Sequence, residues 1–262
     1  VLLKSVVMAL PTYVMSCRLL PQTLCKDICS EMARFWWGQR KDEHRIHWLR
    51  WGKLTEVKAD GGLGFRELRE FNLALLAKQL WRLLTKPNLL VSKIMKARYF
   101  KGMSIWDTKA SNGDSWCWKS LLSAKELLEE GTRKRVGDGK SINIWADRWL
   151  PSSEDGRVKS RRREGMKVQK VSELIRDGRW DRELIKQVFE EEEGKSILRI
   201  PLGVQPLKDR IYWNFSPTGM YTVKSGYQFA KKGRRRGSQW KTDAGSSCTK
   251  VGTNPSWNFL WV

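Results

Sequence analysis

The strongest constraint on the fold is an apolar helical pattern between Glu67 and Leu84. Apolar residues recur there at helical spacing and cover a wide face, formed by Leu68, Phe71, Leu75, Leu76, Leu80, Leu83 and Leu84. A face this wide is typical of a helix that is buried on several sides, not of an isolated surface helix. Because proline interrupts helical hydrogen bonding, Pro87 ends the pattern. The sequence therefore predicts a helical core built around this segment.

The remaining patterns divide the chain into a helical half and a mixed half. Helical spacing recurs in residues 2–10, 22–37, 89–99 and 115–128, and shorter helices are expected at 171–176 and 181–189. Two turn signals, Asp138-Gly139 and Ser216-Pro217-Thr218-Gly219, predict short hairpins in residues 135–145 and 211–223. We therefore expect an α+β fold with a mostly helical N-terminal half and with short β-hairpins and small helices in the C-terminal half.

The same patterns suggest where the chain divides. Residues 1–132 form a helical region, and residues 133–230 form a small α+β region with a mobile basic loop near 151–167. Residues 231–256 are basic and then polar and low in complexity, which predicts a disordered linker. Residues 257–262 return to an aromatic sequence.

The net charge of +22 constrains the partner. This charge far exceeds what solubility requires. It favours a polyanionic binding partner, RNA or DNA, because cationic side chains that neutralise phosphates release condensed counterions. An acidic membrane surface is the competing partner, but no helix pairs a clean Lys/Arg face with a bulky apolar face, and no apolar stretch reaches membrane-spanning length. The five cysteines have no framework spacing, which favours a reducing compartment, nucleus or cytoplasm.

The segment from Arg34 to Leu84 also carries a series of motifs in a fixed order. It contains five of the 15 tryptophans and reads Phe35-Trp36-Trp37-Gly38, His47-Trp48, Trp51, Gly61-Gly62-Leu63-Gly64-Phe65 and Phe71-Asn72 through Trp81-Arg82. Further motifs are Pro11-Thr12-Tyr13, Lys96-Ala97-Arg98-Tyr99-Phe100, Val136-Gly137-Asp138-Gly139, Ile144-Trp145-Ala146-Asp147-Arg148-Trp149-Leu150, Tyr221-Thr222-Val223-Lys224-Ser225-Gly226-Tyr227 and Trp257-Asn258-Phe259-Leu260-Trp261. Together they resemble plant non-LTR (LINE-type) retrotransposon reverse transcriptases.

The resemblance implies a fragment of that polyprotein. It implies that residues 1–132 are a thumb-like region after the polymerase core, and that residues 257–262 are the truncated start of a zinc-binding module. The parent would be an RNA-directed DNA polymerase that needs divalent cations and zinc. The chain alone is expected to need no cofactor and to have no catalytic activity, with nucleic acid and the rest of the polyprotein as partners. The alternatives are a domesticated, non-enzymatic RNA-binding protein and a non-functional relic of a decayed element.

Catalytic and metal-binding patterns are weak. A polymerase needs paired carboxylates for two metal ions, and the chain contains no Asp-Asp pair. Glu190-Glu191-Glu192-Glu193 is interpreted as a solvated face. Cys25, Cys29, His44 and His47 approach a zinc-finger spacing, but no strand pair precedes the histidines, which favours buried thiols and surface histidines. We therefore predict no catalytic and no metal residues.

The basic and aromatic residues give the candidate nucleic-acid site. Because arginine suits bidentate phosphate contact, three basic runs are candidates: Arg133, Lys134 and Arg135; Arg161, Arg162 and Arg163; and Lys231, Lys232, Arg234, Arg235 and Arg236. The last two runs are also candidate nuclear import signals. On the central helix, Lys78, Arg82 and Lys86 follow at one-turn spacing and are expected to face phosphates. Trp48 and Trp240 are candidates for base stacking, whereas Trp36, Trp81, Trp116, Trp118, Trp145 and Trp213 are expected in the core.

Overall fold

The computed structural model describes residues 2–39, 45–162, 168–203 and 207–235. Within these ranges the helices are α1 (Thr12–Met15), α2 (Gln22–Trp36), α3 (Trp51–Leu54), α4 (Leu68–Thr85), α5 (Leu90–Tyr99), α6 (Trp116–Ser123), α7 (Lys125–Gly131), α8 (Arg182–Val188), α9 (Glu191–Leu198) and α10 (Val223–Arg235). The strands are β1 (Thr132–Arg135), β2 (Ile175–Arg176), β3 (Arg179–Trp180) and β4 (Arg210–Trp213). A π-helical turn (Leu3–Val7) and two 3₁₀ turns (Lys58–Asp60 and Val171–Leu174) complete these elements. The predicted α+β class is confirmed.

Helix α4 is the axis of the larger part of the fold. Its apolar face is buried, with Leu76 and Leu80 fully inaccessible to solvent, and it packs against α6, α7 and α10. Tyr221, just before α10, lies in the same core and donates a hydrogen bond from its hydroxyl to the carbonyl of Ala74 at 3.0 Å. The wide apolar face predicted from the sequence is therefore satisfied by packing partners on several sides.

Asn72 attaches the N-terminal segment to α4. It is fully buried, and its amide nitrogen donates to the carbonyls of Met15 at 2.6 Å and Arg18 at 2.8 Å. Its side-chain oxygen accepts from the Leu20 amide at 2.7 Å. Since buried backbone groups need partners, this one side chain satisfies three of them where α1 turns towards α2.

The main strand pair joins residues that are far apart in the sequence. β1 pairs antiparallel with β4, with Thr132 opposite Trp213 and Arg135 opposite Arg210. The predicted hairpins at 135–145 and 211–223 are therefore wrong, because residues 132–135 and 210–213 pair with each other and neither strand is followed by a second strand within the predicted range. The hairpin that does form joins β2 and β3 through Asp177 and Gly178, whose φ angles are +49° and +71°, as a type I′ turn requires.

Asp209 holds the loop that was expected to be a hairpin turn. Its carboxylate accepts from the amides of Gly137 (2.7 Å), Gly139 (2.9 Å) and Ser141 (2.9 Å), and from the Ser141 hydroxyl (2.8 Å). A Cβ atom on Gly137 would lie 2.2 Å from the Leu207 carbonyl oxygen, and one on Gly139 would lie 2.5 Å from the Ser172 amide nitrogen. The two glycines thus permit a close approach of backbones.

The second part of the fold has its own apolar core. We call residues 136–209 the small-element region and residues 2–135 with 210–235 the α4 region. The small-element core includes Ile142, Ile144, Val171, Leu174, Ile185 and Ile197, all fully inaccessible. Helix α10 continues to Arg235 and packs on α4, so residues 231–235 are helical where the sequence predicted disorder. The predicted boundaries between the parts of the chain stay predictions.

Candidate nucleic-acid interface

Lys78, Arg82 and Lys86 lie together in one cleft on α4. The cleft has a volume of about 340 Å³ and is also lined by Gln79, Trp81, Thr85 and Met220. We call it the α4 basic cleft. Lys78 and Arg82, both half-buried, are one turn apart on α4, and Lys86 caps the helix at its C-terminal end, where the helix dipole favours cations.

The cations of the α4 basic cleft repel one another. The pKa of Lys78 is lowered, first by partial burial and then by the charges of Lys86 and Arg82. Lys78 donates from Nζ to the Tyr221 carbonyl at 2.8 Å, and Arg82 donates from Nη1 to the Gln79 side-chain oxygen at 2.9 Å. Both partners are neutral. Among the described residues, no carboxylate lines the cleft, so a bound anion would relieve this repulsion.

The first basic run has internal roles. Arg133 is buried, with 6% of its surface exposed, and its guanidinium donates to the carbonyls of Leu150, Pro151 and Glu154. Lys134 donates to the Asp147 carboxylate at 2.7 Å. Arg135 alone is exposed. The structure therefore contradicts phosphate contact by Arg133, because its donors already satisfy backbone carbonyls.

The other two basic runs are only partly described. Arg161 and Arg162 are exposed, and the preceding loop is held by Glu193, whose carboxylate accepts from the amides of Lys159 and Ser160. Glu193 is therefore not the solvated residue that the sequence predicted. Lys231 donates to the Thr55 carbonyl at 2.7 Å, and Lys232 is exposed. Arg163 and Arg236 lie outside the described residues, and so do the side chains of Arg234 and Arg235.

The tryptophans divide differently from the prediction. Trp81, Trp118 and Trp213 are buried, as predicted, and half-buried Trp145 packs on the small-element core. Trp36 and Trp116 are 41% and 61% exposed, so the core prediction for these two is wrong. Trp48 is 56% exposed, as a stacking residue requires, and Trp240 lies outside the described residues.

A second concave surface was not predicted as a unit from the sequence. We call it the α2–α3 groove; it has a volume of about 1230 Å³ and lies between α2, residues 46–51 and the start of α4. Trp48 and Ile46 line it together with the cationic residues Lys26, Arg34, Arg50 and Arg69. Lys26 and Arg34 are two helical turns apart on α2, which is the one sequence signal that they share a face.

No metal centre emerges from the described residues. They contain no group of three His, Cys, Asp or Glu side chains that could hold an ion, and thus do not fit the divalent cations or the zinc implied for the parent enzyme. Cys25 and Cys29 are free thiols. Burial first, and then Glu67 and Cys25, raise the pKa of Cys29 to about 11, which disfavours the thiolate that binds metal. His44 lies outside the described residues.

Among the residues that the structure describes, no helix is long and apolar enough to cross a bilayer. The predicted nuclear or cytoplasmic location stays a prediction.

Two plant proteins are similar to this chain. It is 42% identical over 144 residues to the "Uncharacterized mitochondrial protein AtMg00310" of Arabidopsis thaliana, a match that covers 55% of this chain and 94% of that protein. It is 29% identical over 234 residues to the "Putative ribonuclease H protein At1g65750" of Arabidopsis thaliana, a match that covers 87% of this chain but only 38% of that protein. No protein-family model and no solved structure matches the chain.

The chain therefore belongs to the same family as the uncharacterized mitochondrial protein. Both matches are consistent with a retrotransposon-related protein. The chain spans little more than a third of the putative ribonuclease H protein, so the activity of that whole protein is not transferred to it.

Proposed function

We propose that this chain is a nucleic-acid-binding segment of a LINE-type reverse transcriptase polyprotein, positioned after the polymerase core. The observation that carries the proposal is the α4 basic cleft, where three cations lie together and no carboxylate is among the described residues that line it. The similarity of the chain to a protein named as a putative ribonuclease H supports a nucleic-acid partner. Within the parent enzyme, the cleft would hold the sugar-phosphate backbone of a template or target strand.

The chain alone is proposed to bind without catalysis. The described residues offer no cluster of metal ligands, whereas polymerase and nuclease chemistry on phosphodiesters commonly uses two metal ions. An assay of the purified chain on an RNA–DNA hybrid with added magnesium tests this part. Cleavage that co-purifies with the chain and disappears in chelator would contradict it.

Salt dependence of binding tests the cleft. Arg82→Gln with Lys86→Gln removes two charges but leaves the hydrogen bond from Lys78 to Tyr221. We expect weaker binding of RNA, with the slope of log affinity against log salt becoming shallower by about 1.4 to 1.8, because each of the two lost phosphate contacts removes about 0.7 to 0.9 from the slope. Fluorescence anisotropy over a salt series measures this.

Two controls make the slope interpretable. Arg179→Gln with Arg182→Gln removes the same charge from exposed positions of the small-element region and should leave most of the slope unchanged. Arg82→Lys with Lys86→Arg keeps the charge and should keep the slope. An equal loss of slope in both charge-removing variants would contradict a localised cleft and leave only a diffuse effect of net charge.

A second candidate function is a stand-alone, non-enzymatic RNA-binding protein. It is favoured by the match that covers 94% of the uncharacterized mitochondrial protein, since the shared region makes up nearly all of that relative. Cooperative unfolding of the isolated chain together with salt-sensitive RNA binding would support it. An isolated chain that fails to fold cooperatively would favour a relic of a decayed element.

A further inference from the structure

Two of the described tryptophans line the α2–α3 groove: Trp48, which is exposed, and Trp51, which is held by a contact with the core. Trp51 stacks on Phe65 with ring centroids 5.0 Å apart and an angle of 27° between the planes. Trp36 packs edge-on against the same Phe65 ring at 5.4 Å. Since Phe65 is 3% exposed, it anchors Trp51 to the core, while Trp48 exposes 56% of its surface to solvent.

The segment that carries Trp48 is itself held in place. The ring of His47 stacks on Trp37 with centroids 6.2 Å apart and an angle of 23°. The His47 Nε2 atom lies 3.3 Å from the Gln39 side-chain oxygen. These contacts tie His47, next to Trp48, to the end of α2, and a side chain held in place before binding has a lower entropic cost of binding.

The charges around the groove select an anionic partner. Among the described residues that line the groove are the cations Lys26, Arg34, Arg50 and Arg69 and one carboxylate, that of Glu67. That carboxylate already accepts a hydrogen bond from the Thr55 hydroxyl at 3.0 Å. Arg34 pairs with Glu31 at 2.6 Å, but both side chains are more than half exposed. Such a pair contributes little and can exchange for a phosphate.

We propose that the α2–α3 groove binds single-stranded nucleic acid, with a base stacked on Trp48 and the backbone along the basic residues. The groove volume of about 1230 Å³ exceeds the roughly 300 to 1,000 Å³ of small-molecule pockets. Cationic grooves with aromatic platforms are the arrangement that holds unpaired strands, because every base has a π-face. A duplex keeps these faces stacked inside the helix. Trp48 therefore gives the chain a preference for unpaired strands that the α4 basic cleft, which offers only charge, does not supply.

This proposal takes the nucleic-acid partner from the proposed function, and the experiment separates the two. The full chain is titrated with a fluorescent oligo(U) and with an RNA duplex of equal charge. Trp48→Ala should weaken binding of oligo(U) about 5- to 150-fold, since stacking on one aromatic side chain is worth about 1 to 3 kcal/mol. Its duplex affinity and salt slope should stay unchanged. Trp48→Phe should restore part of the loss.

Trp116→Ala is the matched control. Trp116 is 61% exposed and does not line the groove, so its removal should leave oligo(U) affinity unchanged. Circular dichroism confirms that each variant folds. The proposal is overturned if Trp48→Ala has no effect, if it weakens duplex and single strand equally, or if a polyglutamate peptide displaces oligo(U) at equal charge, which would indicate an acidic protein partner. If Arg82→Gln with Lys86→Gln has no effect on binding but Trp48→Ala weakens it, the proposal for the α4 basic cleft is contradicted and the proposal for the α2–α3 groove is supported.

Discussion

The α4 region and the small-element region are stabilised by different kinds of contact. In the α4 region, an 18-residue helix satisfies most of its own backbone and buries large side chains such as Leu80 and Trp118. In the small-element region, β2 and β3 have two residues each and α8 has seven. Short elements leave more backbone groups without partners, so side chains must supply them.

Carboxylates do this in the small-element region. Asp209 accepts from the amides of Gly137, Gly139 and Ser141, and Glu193 accepts from those of Lys159 and Ser160. Asp147 accepts from the Asn143 amide at 2.7 Å, and Asp181 caps α8 through the Leu184 amide at 3.1 Å. The comparison teaches that one region depends on apolar volume and the other also on ionised acceptors, which predicts different responses to mutation and to acid.

The largest effect is expected from cavities in the two cores. Leu80→Ala and Leu174→Ala each remove a fully buried side chain and should each lower the free energy of unfolding by about 2 to 5 kcal/mol. Hydrogen exchange measured by mass spectrometry should show faster exchange in α4, α6, α7 and α10 for the first variant. The second should accelerate exchange in residues 171–198. Uniform acceleration in both variants would mean one cooperative unit and would break the comparison.

A smaller effect is expected from Asp209→Asn. The change keeps the shape but removes a charged acceptor from four hydrogen bonds, at a cost of about 1.5 to 3 kcal/mol. Chemical denaturation, read with exchange in residues 137–141, measures this. Asp138→Asn is the control, because the Asp138 carboxylate accepts a local hydrogen bond from the Lys140 amide at 3.2 Å and no other from the described residues. Equal losses in the two variants would show that the Asp209 contacts add nothing particular.

The smallest effect is expected from acid, which removes the charge but leaves both oxygens of Asp209 in place. Burial alone would raise the pKa of Asp209, but the hydrogen bonds from Gly137, Ser141 and Gly139 outweigh it and hold the pKa below its ordinary value. The contact therefore stabilises the fold above the ordinary carboxylate pKa, and this stability is lost as pH falls through the lower folded value.

Glu130 sharpens this comparison because its pKa is shifted in the opposite direction from that of Asp209. Burial first, and then Glu126, raise the pKa of Glu130 at the end of α7. The ionised Glu130 therefore destabilises the α4 region, and this destabilisation is removed as pH falls and Glu130 is protonated. Amide NMR spectra recorded from neutral pH down through the carboxylate range should lose the signals of residues 137–141 before those of α4. In Asp209→Asn this difference should shrink, and an unchanged order of loss would contradict the assignment to Asp209.

The helices of the first half were readable from the sequence because their signals are local. The prediction for 67–84 agrees with α4, and the prediction for 22–37 agrees with α2. The strand pairing was harder to predict because β1 and β4 are more than seventy residues apart in the sequence. Alternation of apolar and polar residues indicates a strand but not the strand with which it pairs. The Asp177-Gly178 hairpin had the same signal as Asp138-Gly139, but flanking residues with helical spacing obscured it.

The candidate site was predictable where spacing on one helix decides it. Lys78, Arg82 and Lys86 share a cleft because residues four apart lie on one helix face. The burial of Arg133 could not be predicted from the sequence, because its neighbours Lys134 and Arg135 carry the same charge. Only tertiary packing buries Arg133 and not the other two. The exposure of Trp36 and Trp48 was equally hard to predict, because apolar composition alone does not indicate which indole remains exposed.

The sequence by itself determined that this chain is strongly basic, α+β and centred on one buried helix, because charge and helical periodicity are properties of residues close together in the chain. Only the tertiary structure decided that Asp209 holds the Gly137–Ser141 loop, that α10 returns to α4, and that Trp48 joins four cationic residues in one groove. These contacts bring together residues from distant segments, and their energies depend on burial and hydrogen-bond geometry, which no local pattern specifies.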